Sequence, residues 1–277
     1  MSGRLEGKVA FITGAARGQG RSHAVRMAKE GADIIAVDLC DKIASNVAPP
    51  ATEADLAETA RQVQSLDRRI VTVKADVRDF AALQAAASEG VAELGRLDTV
   101  VANAGTWTYG LSHELSEAEW RDTIDIALTG VWQTCRAAVP TLISQGTGGS
   151  IILTSSVLGL QASPHMSHYV AAKHGVVGLM KTLAIELAPH SIRVNTVNPG
   201  TVNTDLVMNE PTFKLFAPDL DAPTVDDIAE RMSGETALPV PWVEVGDVSN
   251  AVVFLASDES RYVTGISLPV DAGILVS

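Results

Sequence analysis

At 277 residues, with 46% hydrophobic content and 22 glycines, the chain has the apolar mass for one large α/β core and is expected to form a single domain over residues 1–277. Its 33 acidic residues outnumber 21 basic ones, and the resulting formal charge of −12 repels phosphate backbones and anionic bilayers, which argues against nucleic acid or membrane partners. The 2 cysteines, Cys40 and Cys135, stand far apart without a CxxC or Cys/His cluster, so neither a disulfide framework nor a zinc site is indicated.

The opening stretch MSGRLEGKVAFITG lacks the charged-then-apolar design of a signal peptide, and no apolar run approaches the roughly 18 residues of a membrane span. A reducing, cytoplasmic setting is expected. Apolar strand candidates then recur between helical stretches: VAFIT from Val9, DIIAVD from Asp33, IVTVKAD from Ile70, LDTVVANAG from Leu97, SIILTSS from Ser150, SIRVNTVNPG from Ser191 and ISLPVD from Ile266. Such alternation predicts an α/β fold, a Rossmann-type doubly wound parallel sheet with helices on both faces. A hydroxyl followed three residues later by a carboxylate marks helix starts at Thr52 and Ser116, the second opening a long helix toward Leu142.

Two segments break the rhythm, and both follow strands whose carboxyl ends should border a ligand crevice. Residues 40–55 separate the second strand from its helix, with Pro49-Pro50 stiffening the middle. Residues 205–242 mix Met208, Phe213, Phe216, Met232 and Trp242 with prolines and acids, a composition suited to a mobile substrate lid with an apolar underside.

Chemistry concentrates in a few motifs. Gly14, Gly18 and Gly20 of TGAARGQG follow the first strand and precede a helix, the context in which glycines let the backbone approach a pyrophosphate at a helix amino terminus. Asp38 ends the second strand about where a carboxylate binds the adenosine ribose hydroxyls and repels a 2′-phosphate. Arg17 pulls the other way, since an arginine beside the loop can hold a phosphate; Asp38 weighs more, which favours NAD over NADP. In YVAAK, Tyr169 and Lys173 share a helical face, so a fixed ammonium stands near a phenol, and Ser155 and Ser156 lie upstream. A phenol with an ordinary pKa of about 10 needs such positive charge to serve as a base near neutrality. The pattern therefore points to an oxidoreductase using a nicotinamide cofactor.

TGAARGQG, ANAG at Ala102–Gly105, Ser156, YVAAK and NPGTVNT at Asn198–Thr204, in this order, resemble the short-chain dehydrogenase/reductase family over nearly the whole chain. The resemblance implies a sheet of seven parallel strands, a homotetramer, and an alcohol or ketone as substrate. It makes Tyr169 the acid/base, Lys173 its activator and ribose anchor, and Ser156 the partner of the substrate oxygen. It further assigns Asp76 and Val77 to the adenine, Asn103 to the adenosine-side wall and Thr204 to the nicotinamide carboxamide, with Gly105 and Pro199 also among the cofactor-binding residues. One position departs from the family: Asp125-Ile126-Ala127-Leu128-Thr129-Gly130 carries Ala127 where an asparagine of a proton relay is usual, which puts that relay in doubt.

The long segment after Asp38, with GAARGQGRSHAV and HYVAAKHGVVGLM, looks like the mycofactocin-associated branch with carveol dehydrogenase-like members. That implies retained NAD, reoxidised by an external redox carrier, and an apolar cyclic alcohol. A ketone reductase with freely exchanging NAD(P)H and a nucleotide-sensing protein of the same fold are the competing expectations. His165 and His168 precede Tyr169 and are expected to be structural or solvated. His23, His113, His174 and His190 form no ligand cluster, so no metal is expected. Trp107 and Tyr109 follow Gly105, where aromatic rings would either line an apolar pocket or pack in the core.

Overall fold

The computed structural model describes residues 3–46 and 48–277; Val47, inside the 40–55 segment, lies outside the described residues. Its frame is a parallel sheet of 7 strands in the order β3-β2-β1-β4-β5-β6-β7. The strands are β1 (Val9–Thr13), β2 (Asp33–Asp38), β3 (Ile70–Lys74), β4 (Thr99–Ala102), β5 (Gly149–Thr154), β6 (Ile192–Pro199) and β7 (Ser267–Val270). Central strands of a parallel sheet are covered on both sides, which explains why VAFIT and TVVA are apolar except for Thr13 and Thr99 and fully buried, while β3 at one edge is only partly buried.

Side chains alternate between the two faces. Phe11, Ile35, Val100 and Ile151 meet Leu83, Leu142 and Met180 of helices α3 (Phe80–Leu94), α5 (Gly130–Gln145) and α6 (Ser167–Leu187). Ile12, Ile34, Val101 and Ile152 meet Met27, Leu56 and Val252 of helices α1 (Gly18–Lys29), α2 (Glu53–Gln64) and α9 (Val245–Ala256). Strand order reverses between β1 and β4, where Ile12 pairs with Val101, and a crevice opens beyond their carboxyl ends.

Thr52 caps α2 with a reciprocal bond from Asp55, and Ser116 caps α4 (Glu117–Ile124) with Glu119. The single long helix expected from Ser116 is interrupted: α4 ends, a π-helical turn spans Asp125–Thr129, and α5 begins at Gly130. Hydrophobic periodicity carries on through the turn and conceals it. The backbone is drawn inward there, because a Cβ at Gly130 would lie 2.6 Å from Val77 Cγ2.

Residues 205–242 hold two short helices, α7 (Glu210–Phe216) and α8 (Val225–Met232), with a small core of their own. Phe213, Ala217, Ile228 and Met232 are buried in it, with Met208 and Trp242 packed against them. Most of the apolar residues that suggested a greasy underside thus face one another.

At the crevice the glycine loop is tight. Gly14 has φ of +70°, and a Cβ on it would sit 2.9 Å from Ala104 Cα. A Cβ on Gly20 would sit 2.0 Å from the Gly14 carbonyl oxygen. Gly20→Ala is therefore expected to cost about 1–3 kcal/mol through overpacking against backbone that cannot step aside. The measurement is the thermal midpoint: a midpoint equal to wild type means the loop has room that the structure denies it.

Candidate active site

One cavity of about 600 Å³ lies over the carboxyl ends of the central strands, a volume suited to a bound small molecule. Every residue singled out from the motifs lines it: Gly14, Arg17, Gly18, Gly20, Asp38, Asp76, Val77, Asn103, Gly105, Ser156, Tyr169, Lys173, Pro199 and Thr204.

The nucleotide end is built from backbone. Helix α1 begins at Gly18; no side chain caps it, and its first turn holds no acid, so its free N–H groups and positive dipole end face the cavity without a resident anion. Asp38 accepts from Ala16 N at 2.9 Å and Cys40 N at 3.0 Å, which fixes its carboxylate at the end of β2. The buried Gln19 Oε1 and Thr106 Oγ1 in the wall have no hydrogen-bond partner among the described residues. These features fit a dinucleotide. Arg17 does not wait for a phosphate: its guanidinium donates to the Pro49 carbonyl and pairs with Asp205 at 3.5 Å.

A chain of hydrogen bonds joins the strand ends. Asn103 N and Ala104 N donate to Thr13 Oγ1, and Asn103 Nδ2 donates to the Thr13 carbonyl at 3.1 Å. Thr154 Oγ1 donates to Asn103 Oδ1 at 3.4 Å, and the Thr154 carbonyl accepts from Lys173 Nζ at 2.8 Å. Asn103 was expected to form a wall or a tight turn, and it is also the hub that ties β1, β4 and β5 to the lysine.

The two serines separate cleanly. Ser155 Oγ is buried and donates to the Lys173 carbonyl at 3.0 Å, so its hydrogen is used. Ser156 Oγ accepts from Leu158 N at 3.1 Å, which leaves its own hydrogen to donate into the cavity. The Asn198 amide donates to the Ser156 carbonyl at 2.8 Å and holds that residue in place. Lys173 Nζ stands 5.4 Å from the centre of the Tyr169 ring.

Burial dominates the titration of the pair. It pushes the Tyr169 phenol up to about 12, with the nearby Ser156 hydroxyl pulling the other way, and it pushes the Lys173 amine down to about 8. The ligand-free site therefore holds a protonated phenol beside an ammonium that begins to deprotonate only just above neutrality. Burial pushes both free thiols, Cys40 and Cys135, up to about 12, which leaves them unreactive.

Apolar side chains make up part of the cavity wall: Trp107, Leu158, Met166, Phe216 and Ile274. Trp107 is wall; Tyr109 instead donates from its hydroxyl to the Pro211 carbonyl at the start of α7. His165 borders the cavity, whereas His168 is buried against the helix that carries Glu119, with burial holding its pKa down. Sequence reasoning did not find Ile274, which comes from the last turn of the chain, or Gln19, although the latter stands inside the glycine motif. Ile274 carries no sequence signal, because its contact is with Gly200, where a Cβ would sit 2.7 Å from Ile274 Cδ1. Among the described residues, no group of three or more His, Cys, Asp or Glu gathers as for a metal, and no helix is long and apolar enough to cross a membrane.

A family model described as short chain dehydrogenase matches residues 8–214. The chain is 52% identical over 271 residues to (−)-trans-carveol dehydrogenase of Rhodococcus erythropolis, covering 98% of each protein. It superimposes with a TM-score of 0.98 on carveol dehydrogenase from Mycobacterium avium in complex with NAD, at 60% identity over 99% of this chain and 100% of that one. A short chain dehydrogenase from Mycobacterium paratuberculosis bound to NAD gives a TM-score of 0.89 at 46% identity, with 98% of this chain and 99% of that one covered.

Burial of Lys173 leaves a signature in stability. Below about 8 the ammonium is present in folded and unfolded chains alike, and its full desolvation cost weighs on the folded state. Between about 8 and its ordinary 10.5 the folded amine is neutral and the cost fades. Lys173→Met is thus expected to raise the thermal midpoint of the ligand-free protein at pH 6.5 and to gain less at pH 9.5. An equal gain at both values means that Lys173 is not desolvated.

Proposed function

The chain belongs to the short-chain dehydrogenase family, and from that premise we propose that it transfers hydride between NAD and a secondary alcohol or ketone, the alcohol being an apolar cyclic one of the carveol kind. The observation that carries this reading is the layout of one cavity. Asp38 and the open start of α1, the trio Ser156, Tyr169 and Lys173, and apolar side chains such as Trp107 and Phe216 all line it together.

NAD, held by the glycine loop, Asp38 and Lys173, supplies the hydride acceptor. Asp38 offers a fixed carboxylate to the adenosine ribose hydroxyls and repels a 2′-phosphate. Asp76 and Val77 would border the adenine, Asn103 the adenosine side and Thr204 the nicotinamide carboxamide, with Gly105 and Pro199 as further cofactor contacts; that all six line the cavity supports this. Ser156 Oγ donates to the substrate oxygen and fixes it within reach of the phenol. Tyr169 takes the hydroxyl proton at its phenolic oxygen in oxidation and returns it in reduction. Lys173, anchored on the Thr154 carbonyl with its Nζ 5.4 Å from the centre of the Tyr169 ring, brings positive charge near the phenol, and such charge favours the phenolate. Trp107, Leu158, Met166, Phe216 and Ile274 exclude water around the rest of the substrate and favour a hydrocarbon ring.

Segment 40–55 acts as a cover of the adenosine half and 205–242 as the lid over the substrate. Asp41, Ile43 and Pro50 of the first and Leu206, Val207 and Phe216 of the second, all lining the cavity, support this. The long cover is what the mycofactocin-associated branch implies, with NAD retained and reoxidised by an external carrier. A cytoplasmic homotetramer completes the reading.

The test starts with gel-filtered protein, denatured and analysed for released nucleotide by mass spectrometry, followed by assay with trans-carveol and an artificial electron acceptor. NAD in the extract and turnover of the alcohol support the proposal. NADP in the extract overturns the role given to Asp38. Tyr169→Phe is expected to lower kcat by about 10²–10⁴-fold with nucleotide still bound. Asp38→Ser is expected to shift the NADP-to-NAD preference by about tenfold or more as the like-charge repulsion goes. Intact turnover in the first variant, or an unchanged preference in the second, removes that residue from its role.

A further inference from the structure

Arg17 stands at the lip of the glycine loop in an extended conformation, just before helix α1, and lines the cavity. Its guanidinium has two partners from two other strand ends. One nitrogen donates to the Pro49 carbonyl in the segment that follows β2, and another pairs with the Asp205 carboxylate, 3.5 Å away, in the segment that follows β6. The next residue, Gly18, faces the second segment too, since a Cβ there would lie 3.5 Å from Thr204 Cγ2. The glycine loop, the adenosine-side cover and the start of the substrate lid therefore meet at a single side chain. A planar guanidinium suits this place, because its fork can hold two acceptors in different directions at once, which a single ammonium does less well.

We infer that Arg17 is a clasp: it joins the two covers across the mouth of the cavity and sets the rate at which the dinucleotide leaves. The inference rests on the proposed reading of the cavity as an NAD site. Arg17 acts on the nucleotide through Pro49 and Asp205, so it is a positioning residue. This differs from the phosphate-holding role that its sequence position first suggested, and the two roles predict opposite effects of removing Asp205. A clasp loses one of its two attachments, and release quickens. A phosphate ligand is freed of a competing carboxylate, and release stays the same or slows.

The experiment uses the full chain saturated with NAD. The protein is mixed with a large excess of isotopically labelled NAD, desalted at timed intervals and denatured, and the ratio of old to new nucleotide is read by mass spectrometry. Wild type is compared with Arg17→Met, Asp205→Asn and the double variant, with thermal melts to confirm folding. Arg17→Met is expected to speed exchange by about tenfold, the loss of a charge-assisted pair of contacts. Asp205→Asn, which removes an exposed ion pair, is expected to speed it by about threefold, and the double variant to be no faster than Arg17→Met. Should Arg17→Met fail to fold, Asp205→Asn and Arg17→Lys carry the test, the lysine variant exchanging faster because it loses the fork. Exchange in Arg17→Met within about twofold of wild type, or unchanged or slower exchange in Asp205→Asn, overturns the clasp and leaves the NAD site standing. Wild type that neither carries NAD as purified nor takes it up in a direct titration overturns both.

Discussion

The hydrogen-bond chain from Thr13 through Asn103 and Thr154 to Lys173 is the constraint on which the site depends. Parallel strands end side by side, and nothing in the sheet ladder itself fixes what their carboxyl ends present to a ligand. Here two threonines and an asparagine lock the ends of β1, β4 and β5 together. The same Asn103 amide faces the carbonyls of the glycine loop, so the nucleotide end and the lysine share one frame. A lysine only 2% exposed needs a partner, because an ammonium out of water without one is costly, and the Thr154 carbonyl provides it. The ammonium is thus placed by the strand that also leads directly into Ser155 and Ser156.

That placement makes the pair of titrations intelligible. Burial disfavours the charged form of each group, so it lifts the phenol and lowers the amine together. A phenol near 12 is protonated at neutral pH and, as a weak acid, gives that proton up reluctantly. Positive charge brought in with a bound ligand would favour the phenolate and work against that burial. The strength of that effect follows from the low-dielectric setting and needs no movement of the side chains.

Much of this was legible in the sequence for a physical reason: each motif encodes a backbone need or a fixed spacing. Gly14 and Gly20 sit where a Cβ would strike backbone, Asp38 terminates a strand, and Tyr169 and Lys173 are four apart on a helix. Periodicity gave the strands because buried parallel strands are apolar on both faces. What escaped depends on contacts between distant segments. The π turn at Asp125–Thr129 hides inside an unbroken apolar pattern and is tied to the approach of Gly130 to Val77. The difference between Ser155 and Ser156 lies in which hydroxyl hydrogen is already spent, a matter of where the Lys173 carbonyl falls. Ile274 and the partners of Arg17 come from other strand ends, and no local spacing announces them.

The charge balance explains why the covers matter. Charged residues around the cavity include Asp38, Asp41, Asp76, Asp205 and Glu235, against Arg17 and Lys173, in a chain of formal charge −12. Such a field does not draw a pyrophosphate in; it repels it at long range and slows encounter. Affinity must then come from backbone N–H groups at the start of α1 and from slow departure, since affinity is governed by the ratio of the two rates. With Arg17 engaged by Pro49 and Asp205, a cation of the glycine loop is occupied by contacts to the two segments. An acidic chain can keep an anionic ligand in this way, by closing over it where attraction is weak.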